Sequence, residues 1–556
     1  MQVIKRLLPI LMVVCPSLLL AQSTLLPQGY KHQQLIDRME IRFRDSALSM
    51  QQAKPFDRKG WVEALEAIDP SAPMSVVDAF NIESALMNNQ EWVTGPTESF
   101  ASKRPFLKTF YKTRADLLQV NVKDFFLAIN PMFNFQVAKE SGTDETLYIN
   151  SRGARARGLI AEKIGFDFYL AENQEKDPWY VRRFQQDFNA VPGAGYYKTF
   201  KTTGYDYLDA RGSIFVNATK YINIQFGYDK NFIGNGYRSL FLSDFSNNYL
   251  FLKLNTRIWK LNYQNIFMEL TPSLSRSFRD DQLLDKKYAA MHHLSYQPTK
   301  WLNVGLFESV IFGRRNKFDF TYLVPVIFLR SIEQQNGSAD NANIGFDVKA
   351  NVAKHFQFYT QVLFDEFKLS EMKSSRGWWA NKYAIQLGAK YIDAFGITNL
   401  DLQAEYNKVR PFTYSHNDSL ADYSHYNQSL AHPMGANLRE FIGIVRYQPI
   451  PRLQVQGKLI AWQQGKDSAG IDFGSNILRP YSDRPYDYGW TTGTGRKATG
   501  VNASLYLGYE ILENLFIDGM LQVRNYKTNN DASLTRNTTL FSLGLRMNMY
   551  RREFDY

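Results

Sequence analysis

Residues 542–550 read Ser-Leu-Gly-Leu-Arg-Met-Asn-Met-Tyr, an unbroken alternation of apolar and polar side chains. Successive side chains of a β-strand point to opposite faces, so this stretch has one apolar face and one polar face. Residues 501–510 and 517–524 repeat the pattern. The apolar faces are formed by Leu543, Leu545, Met547 and Met549, by Val501, Ala503, Leu505, Leu507 and Tyr509, and by Ile517, Gly519, Leu521 and Val523. Many such strands in one chain predict an all-β transmembrane fold, a closed antiparallel outer-membrane β-barrel.

Residues 1–21 have the pattern of a signal peptide. Lys5 and Arg6 precede an apolar run at 7–20, and Ala21-Gln22 offers a cleavage point. The run is too short to be a permanent membrane helix. The chain's one cysteine, Cys15, lies inside it. We therefore expect a protein of the cell outer membrane whose mature form has no thiol, no disulfide and no cysteine metal site.

Charge and composition exclude several classes of protein. Of the 65 basic residues, Lys5 and Arg6 lie in the signal, which leaves 63 against 54 acidic residues, a formal charge of +9. This excess is spread along the chain, so we expect no nucleic acid partner, and an anionic glycan or lipopolysaccharide fits better. Hydrophobic residues make up 44% and the mean hydropathy is −0.36, which excludes a polytopic helical membrane protein. Aromatic residues reach 15%, as suits the girdles of a membrane barrel.

Residues 22–120 predict a small helical region on the periplasmic side. Helical spacing is present at 33–44, 58–68 and 74–88, and the break at 69–73 contains two prolines. The region either folds against or into the mouth of the barrel, or forms a detached helical hairpin. The sequence leaves both arrangements open.

From 121 to 556 the hydrophobic period is two, which assigns this part to the barrel. Short polar turns lead into strands at 218–220, 298–300, 352–354, 449–452 and 512–514, and long polar connections lie at 271–287, 332–343, 409–437 and 463–499. Short turns on one rim and long loops on the other are typical of outer-membrane barrels, whose long loops lie outside the cell. Allowing about 24 residues for each strand, this part of the chain predicts roughly 18 strands. A lumen of that width needs a plug, infolded loops or a water channel.

A large soluble all-β repeat protein is the alternative fold. It does not explain the apolar outer face together with the loop asymmetry. Closure is favoured physically, because an open sheet edge in hydrocarbon leaves each unpaired backbone group several kcal/mol worse off.

The best candidate site on chemistry alone is the segment 405–437. Aromatic rings stack on sugar faces, and amide and arginine side chains bond hydroxyls and carboxylates. The candidate glycan-binding residues are Glu405, Asn407, Arg410, Tyr414, His416, His425, Tyr426, Asn427, Gln428 and His432. A divalent-metal site that uses the three histidines with Asp418 and Asp422 matches no established spacing, and a purely structural loop is the remaining alternative. We expect no metal and no cofactor.

Four more residues are candidates for glycan contact, and two of them, Arg155 and Arg157, could meet an anionic ligand. Arg155 and Arg157 share one strand face, and a lipid-facing arginine costs about 2–4 kcal/mol near the midplane, so we place both in the lumen. There they bind an anion or pair with carboxylates across the barrel. Asp229 and Arg238 lie in a glycine-rich segment, 227–238, whose glycines favour a bulge or an inward loop.

An enzyme and a general porin are the two other classes of function to which an outer-membrane barrel could belong. An enzyme needs a nucleophile and a base within hydrogen-bond reach, and Ser415, His416 and Asp418 are the candidates. Neighbours in sequence point to opposite faces of a strand, which argues against such a dyad, so we expect no enzyme.

The segment 493–500 lacks the Gly-Lys-Ser/Thr order of a phosphate loop. A general porin is the third hypothesis, and it predicts an open channel.

The chain resembles the Wzi-like capsule-assembly outer-membrane proteins, and within them the branch typical of Bacteroidetes that includes the gliding-motility protein RemB. The resemblance covers most of the mature chain, and its most specific parts are 405–416 and 425–437. Further matches are 150–153, 227–236, Asp340, Asn341 and Asp347. It implies an 18-stranded barrel with a periplasmic helical portion that holds or guides surface exopolysaccharide without chemistry. For this branch it also implies gliding or surface adhesion, with partners among outer-membrane lipid and other cell-surface machinery proteins.

Overall fold

The computed structural model describes residues 23–27, 29–50, 52–272, 283–326, 328–337, 339–468, 470–529 and 534–556. The expected signal peptide at 1–21 lies outside the described residues, as does much of the long connection expected at 271–287. No helix of the described chain combines the length and the apolar character that crossing a membrane requires.

Eighteen antiparallel strands of the described chain form a closed barrel, as the sequence predicted. They are β1 (Phe125–Glu140), β2 (Thr146–Ile160), β3 (Ile164–Lys176), β4 (Gly204–Asn217), β5 (Ile222–Asp229), β6 (Tyr249–Ile258), β7 (Leu261–Leu270), β8 (Lys287–Thr299), β9 (Leu302–Phe312), β10 (Asn341–Val352), β11 (Phe356–Glu366), β12 (Lys382–Tyr391), β13 (Leu400–Val409), β14 (Leu438–Ile450), β15 (Leu453–Lys466), β16 (Arg496–Leu512), β17 (Leu515–Thr528) and β18 (Arg536–Met547). The last strand closes on the first, in register from Leu540 opposite Glu140 to Met547 opposite Phe133. Each barrel strand therefore has a neighbour on both sides, which satisfies the backbone in hydrocarbon.

The outer wall of the barrel is apolar at the positions that the alternation predicts. Leu505 and Leu543 are 47% and 51% exposed, whereas the intervening Tyr506 and Ser542 are buried. On a membrane barrel such exposed apolar side chains face lipid, and the alternate positions face the lumen. The pattern of a strand between two solvents is therefore confirmed.

The two rims differ as expected. Short turns at 218–221, 300–301, 353–355, 451–452 and 513–514 join strands on one rim, and long connections at 271–286, 313–340, 410–437 and 467–495 lie on the other. The loop expected at 332–343 is longer than predicted and ends where β10 begins at Asn341. Two further long connections, 177–203 and 367–381, were not predicted, and a third, 230–248, continues the glycine-rich segment 227–238 beyond its predicted end.

The three predicted N-terminal helices are present, with slightly shorter bounds, and a short helix that was not predicted, Ser46–Ser49, lies between the first two. They are α1 (Gln33–Phe43), α2 (Ser46–Ser49), α3 (Arg58–Glu66) and α4 (Val76–Met87). The Asp57 side chain caps α3 by accepting from the Gly60 amide at 2.9 Å. The Ser75 hydroxyl caps α4 by accepting from the Asp78 amide at 2.9 Å. Both caps satisfy amides that a helix start leaves unpaired, which fixes where these helices begin.

The other elements are short. They are helices α5 (Trp179–Phe188), α6 (Leu329–Gln335) and α7 (Leu369–Ser374), 3₁₀ turns Gln90–Trp92, Glu98–Phe100, Phe320–Leu323, Ala394–Gly396 and Tyr481–Asp483, and strands Ala53–Lys54, Leu118–Val122, Lys198–Phe200, Phe232–Ile233, Ser424–His425 and Gln428–Ser429. Leu118–Val122 pairs with residues 125–129 at the start of β1, whereas β18 pairs with residues 133–140 of the same strand.

The helical region packs into the short-turn rim and is not a detached hairpin. Arg38 of α1 is buried and bonds Asp78 at 3.0 Å, Asp393 at 2.9 Å and Asp401 at 2.5 Å. Asp393 lies in the turn that precedes β13, and Asp401 lies on that strand. Removing one partner of a buried ion pair typically costs about 3–5 kcal/mol, so this cluster ties the helices firmly to the barrel.

Loops from the opposite rim fold inward and meet the helical region inside the lumen. The loop 230–248 runs down the barrel, and its strand Phe232–Ile233 pairs with Ala53–Lys54 of the helical region. The loop 410–437 packs on it: the Tyr414 hydroxyl donates to the Leu240 carbonyl at 2.9 Å. The helical region and the infolded loops therefore form one continuous packing unit, and we call them the two plugs. Of the three alternatives that the sequence left open for the lumen, a plug and infolded loops are the ones seen.

The segment 548–556 also enters the lumen, which corrects the prediction that the last strand continues to residue 550. The strand ends at Met547, and Met549 is buried instead of facing lipid. Asn548 adopts a left-handed φ of 53°, and the Arg546 guanidinium bonds the Met549 carbonyl at 2.8 Å. The alternation of apolar and polar residues continues through 548–550, although the backbone turns inward there. The end of the strand therefore cannot be found from this pattern alone.

His425 holds the infolded loop 410–437 in place. Its Nδ1 accepts from the Thr271 amide and its Nε2 donates to the Asn248 carbonyl, both at 2.9 Å. Burial lowers the pKa of His425 to about 3. The imidazole is therefore neutral in the folded loop, with both nitrogens satisfied.

We expect Leu505→Arg to destabilise the barrel by about 2–4 kcal/mol, because it places a cation in the lipid-facing centre of β16. Leu512→Arg, at the turn end of the same strand, is the matched control and should cost only about 0–1 kcal/mol. Reversible guanidinium unfolding in lipid vesicles measures both values. Equal costs for the two variants would contradict the assignment of this face to lipid.

We expect acid to loosen the 410–437 loop. Because the folded pKa of His425 lies below the unfolded value, the unfolded form binds more protons, and stability is lost as the pH falls below about 6.5. Between pH 7 and pH 5 the loss should be about 2 kcal/mol. Protease cleavage within the loop, compared at the two pH values, measures it. His425→Gln should weaken this acid response, and His355→Gln at the opposite rim should not; an unchanged response in His425→Gln would exclude His425 as its source.

Candidate functional site

The structure brings four of the sequence-predicted site residues into one buried network inside the lumen. The Arg238 amide donates to Glu405 at 3.1 Å, and the Asn407 side chain donates to Glu405 at 2.8 Å. Glu440 of β14 accepts from Arg238 at 3.1 Å and contacts His432 Nε2 at 2.9 Å. All five side chains are buried and have protein partners. This arrangement fixes the inward loop against the barrel wall.

Glycine makes that close approach possible. A Cβ at Gly236 would lie 2.5 Å from Glu405 Oε2 and 2.7 Å from Gln386 Oε1. The inward loop 230–248 therefore passes over Glu405 with no room for a side chain at this position. The glycine-rich segment 227–238 is the inward loop that the sequence offered as one alternative.

Five further predicted residues lie on the inward side of the loop 410–437. Tyr414 is fully buried, and the His425 ring is held as described above. Tyr426 donates its amide to the Thr271 carbonyl at 3.2 Å. The Asn427 side chain donates to the Phe188 carbonyl, and Gln428 donates to the Ala194 carbonyl, both at 2.8 Å. These contacts join the loop to the neighbouring loop 177–203.

The remaining lumenal candidates form ion pairs. Arg157 bonds Glu91 at 3.0 Å and Asp116 at 3.1 Å, both in the chain before β1. Arg155 bonds Asp167 at 2.5 Å, and Asp229 lies 3.8 Å from Arg211. Arg155 and Arg157 line a lumenal cavity, as predicted. Of the two roles left open for them, pairing with carboxylates is the one seen.

Arg410 and His416 are the predicted residues at the outer rim, where they border a cluster of aromatic side chains. We name this cluster the rim patch, and it consists of Trp378, Trp379, Arg410, His416, Tyr481 and Arg484. These six side chains are half-buried. They come from three separate loops, 367–381, 410–437 and 467–495.

Stacked rings and guanidinium groups organise the rim patch. The Trp379 and Tyr481 ring centroids are 4.9 Å apart, and the Arg484 guanidinium lies 3.9 Å from the Trp379 centroid. The His416 ring meets the Tyr481 ring edge-on at 5.7 Å. Arg410 donates to the Trp378 carbonyl at 3.2 Å. The patch therefore presents planar aromatic faces with cationic hydrogen-bond donors beside them.

Backbone hydrogen bonds between the loops hold this geometry. The Trp379 amide donates to the Asp487 carbonyl, and the Trp490 amide donates to the Gly377 carbonyl, both at 2.9 Å. Gly377 has φ of 68°, and a Cβ there would lie 2.8 Å from the Trp490 backbone. Trp490 is fully buried beneath the surface. The loops 367–381 and 467–495 therefore form a single paired unit at this rim.

The charge state of the patch follows from burial. Burial lowers the pKa of His416, with a further lowering by the nearby Lys382. Its imidazole is therefore neutral near pH 7, and Nδ1 accepts from the Asp418 amide at 3.1 Å. Arg410 and Arg484 supply the positive charge. In the described chain no group of three or more His, Cys, Asp or Glu side chains is arranged to hold a metal ion.

Sequence reasoning missed four members of the rim patch, namely Trp378, Trp379, Tyr481 and Arg484. The available signal was the local density of aromatic residues: two adjacent tryptophans at 378–379, and two tyrosines and an arginine within 481–486. Nothing in the sequence pairs these two loops, because Trp379 and Tyr481 are separated by about 100 residues and four strands.

The chain was compared with known proteins. The family described as "Capsule assembly protein Wzi" matches residues 211–540. Among solved structures, Escherichia coli Wzi, described as a carbohydrate-binding β-barrel involved in group 1 capsule assembly, is 12% identical over 93% of this chain and 99% of that chain, with a TM-score of 0.55. At this identity the likeness shows the fold alone.

Weaker structural similarity extends to other outer-membrane barrels. Pseudomonas aeruginosa OprD is 12% identical over 76% of this chain and 94% of that chain, with a TM-score of 0.42. Acinetobacter baumannii OccAB4 is 10% identical over 77% and 98%, also with a TM-score of 0.42. None of the curated proteins compared matches this chain. Since the family match spans more than half of its residues, the chain belongs to the Wzi capsule assembly family of outer-membrane β-barrels.

Proposed function

We propose that this protein holds or guides a surface polysaccharide at the outer face of the outer membrane, by binding and without covalent chemistry. Family membership supports a role in capsule assembly. The description of the E. coli relative as a carbohydrate-binding barrel supports binding as the mechanism. In this proposal the barrel wall serves only to anchor the protein in lipid.

The rim patch is the observation that carries the proposal. Its aromatic faces suit stacking on sugar rings, and the Arg410 and Arg484 guanidinium groups suit the hydroxyls or carboxylates of an acidic glycan. Tyr488, beside the patch, is 42% exposed and carries the Arg376 guanidinium 4.5 Å from its ring centroid. A polymer that crosses the patch would therefore meet a second ring and cation pair.

The buried members of the predicted site support the patch indirectly in this proposal. Tyr414, His425 and Gln428 hold the loop 410–437 inside the barrel, and that loop carries Arg410 and His416 to the surface. We therefore limit the proposed glycan contacts to Arg410 and His416 among the sequence candidates, together with the four residues that the fold adds.

A catalytic role for Ser415 and His416 has no geometric support. The Ser415 hydroxyl is buried and donates to the Phe412 carbonyl at 2.7 Å. The His416 Nδ1 is occupied by the Asp418 amide. We propose that the protein is not an enzyme. Membership of the gliding-motility branch, with a role in surface adhesion, stays a prediction.

We expect Trp379→Ala to weaken binding of acidic capsular oligosaccharides by about tenfold or more, because it removes the central ring of the patch. A glycan-array screen of detergent-solubilised protein measures this. Arg410→Ala should also weaken acidic glycans, with a smaller effect on neutral ones. Trp259→Ala, in a turn of the opposite rim, is the matched aromatic control and should bind normally. Equal binding by all four proteins would remove the patch from the proposal.

We expect little or no conductance from the protein in a planar bilayer, because the helical region and the infolded loops meet inside the lumen and obstruct a path through it. A general porin would instead give steady open-channel currents. Removal of 411–436 should raise conductance, since this segment fills the outer half of the lumen. Large currents from the unaltered protein would favour the porin hypothesis over polysaccharide binding.

A further inference from the structure

A large chamber remains in the lumen between the plugs. Its volume is about 510 Å³, within the range of about 300–1,000 Å³ that is typical of small-molecule sites. The helical region, the inward loop 230–248, the segment 548–556 and the barrel wall all contribute to its lining. We name it the lumen chamber. It lies away from the rim patch and shares no residue with it.

Many cations around the lumen chamber are neutralised by carboxylates. Arg238 bonds Glu440 and Asp555, both at 3.1 Å, and Arg552 bonds Glu175 at 2.7 Å. Such pairs leave no net attraction for a further anion. Any attraction of the chamber for an anion must therefore come from lining cations that have no carboxylate partner.

Three lining cations have no carboxylate within 4 Å among the described residues. Lys54 has only the Phe232 ring, at 4.8 Å. The Arg446 guanidinium donates to the Gln403 side-chain oxygen Oε1 at 3.0 Å. Lys230 bonds the backbone carbonyls of Gly193 and Asp244 at 3.2 Å each. Lys230 is buried, and Lys54 and Arg446 are half-buried. A charge withdrawn from water without a counter-ion is costly, so these three cations favour a bound anion.

Lys54 and Arg446 both lie near one carboxylate, Asp37 of α1. Asp37 is already paired with another cation, Lys390, at 2.8 Å. Burial acts to raise the pKa of Asp37, but Lys390, Lys54 and Arg446 outweigh it and hold the pKa below its ordinary value. Asp37 therefore feels three cations at once, and it can neutralise only one of them.

Amide side chains lie on the same lining. Gln33, Gln454 and Gln456 all face the lumen chamber. No side-chain hydrogen bond is made by any of the three within the described residues, and Gln33 Nε2 is buried without a partner. Free amides beside free cations can bond hydroxyl groups and an oxyanion together. The chemistry of the lining is therefore that of a site for an acidic sugar.

A second, smaller cavity adjoins the chamber on the side of the short-turn rim. It has a volume of about 110 Å³ and shares Lys31 and Tyr550 with the chamber. Its other end is lined by Asn88 of the helical region and Asn514 of the turn before β17. The lumenal space therefore extends from the chamber toward the short-turn rim, opposite to the rim patch.

We propose that the lumen chamber is a binding site for an anionic saccharide of one or two sugar units. Lys54 and Arg446 bind its oxyanion, and Gln33, Gln454 and Gln456 bond its hydroxyls. The oxyanion is a carboxylate or a phosphate, since both groups fit the same donors. This site is separate from the polysaccharide surface of the proposed function.

Calorimetric titration of the detergent-solubilised full-length protein tests the proposal. The probes are a glucuronic acid disaccharide, glucose 6-phosphate, cellobiose and inorganic phosphate. At least one of the two anionic sugars should bind at least about tenfold more tightly than cellobiose and inorganic phosphate, and the tighter one identifies the oxyanion. Cellobiose or inorganic phosphate binding as tightly as the anionic sugars would overturn the proposal.

Variants locate the binding in the chamber. The double variant Lys54→Gln/Arg446→Gln should lose about tenfold or more in affinity, and Lys54→Arg/Arg446→Lys should retain most of it. Lys373→Gln, on exposed α7, is the control for loss of a cation. Heat-modifiable gel migration verifies that each barrel is folded. Unchanged affinity in the folded double Gln variant would also overturn the proposal.

The two sites can fail independently. Trp379→Ala should leave chamber binding unchanged, and the double Gln variant should leave capsular oligosaccharide binding at the rim unchanged. Loss of chamber binding in Trp379→Ala would contradict two separate sites.

Discussion

The rest of this structure depends on one constraint: a backbone in hydrocarbon must satisfy its hydrogen bonds within the protein. The eighteen strands meet this constraint by closing β18 on β1. Closure at this strand number has a second consequence, because the lumen becomes too wide for barrel side chains alone to fill. The molecule fills that space with three pieces of its own chain, namely the N-terminal helices, the infolded loops and the segment 548–556. Both proposed sites follow from how those pieces fit.

Buried ion pairs join the lumenal segments to the barrel wall. Arg38 joins α1 to Asp393 and Asp401 at one rim, and Arg238 joins the inward loop to Glu440 and Asp555 near the middle. Buried pairs of this kind contribute little net stability, but losing one partner costs several kcal/mol. They therefore hold the plugs in one arrangement against the wall. Where the pairing is incomplete, around Lys54 and Arg446, an anion-binding chamber remains.

The outer rim has a different construction. The loops 367–381 and 467–495 are joined by backbone bonds over the buried Trp490, so Trp379 and Arg484 are held in position without a barrel strand beneath them. A rigid aromatic surface loses little conformational entropy on binding, which suits recognition of a polymer by stacking. The infolded loops lie between the rim patch and the lumen chamber. A ligand at one site therefore does not contact the other.

The sequence by itself determined the barrel. Alternation of side chains, as at Leu505 and Leu543, depends only on the two-residue period of a strand and on which solvent each face meets. The tight turns and the helix caps at Asp57 and Ser75 are equally local. Only the tertiary structure decided where the long loops go, because Tyr414 finds its partner at Leu240 and Trp379 meets Arg484 across about 100 residues. It also decided that Met549 is buried, since the chain turns inward at Asn548 through contacts with Pro131 and Asn514 that no local pattern encodes.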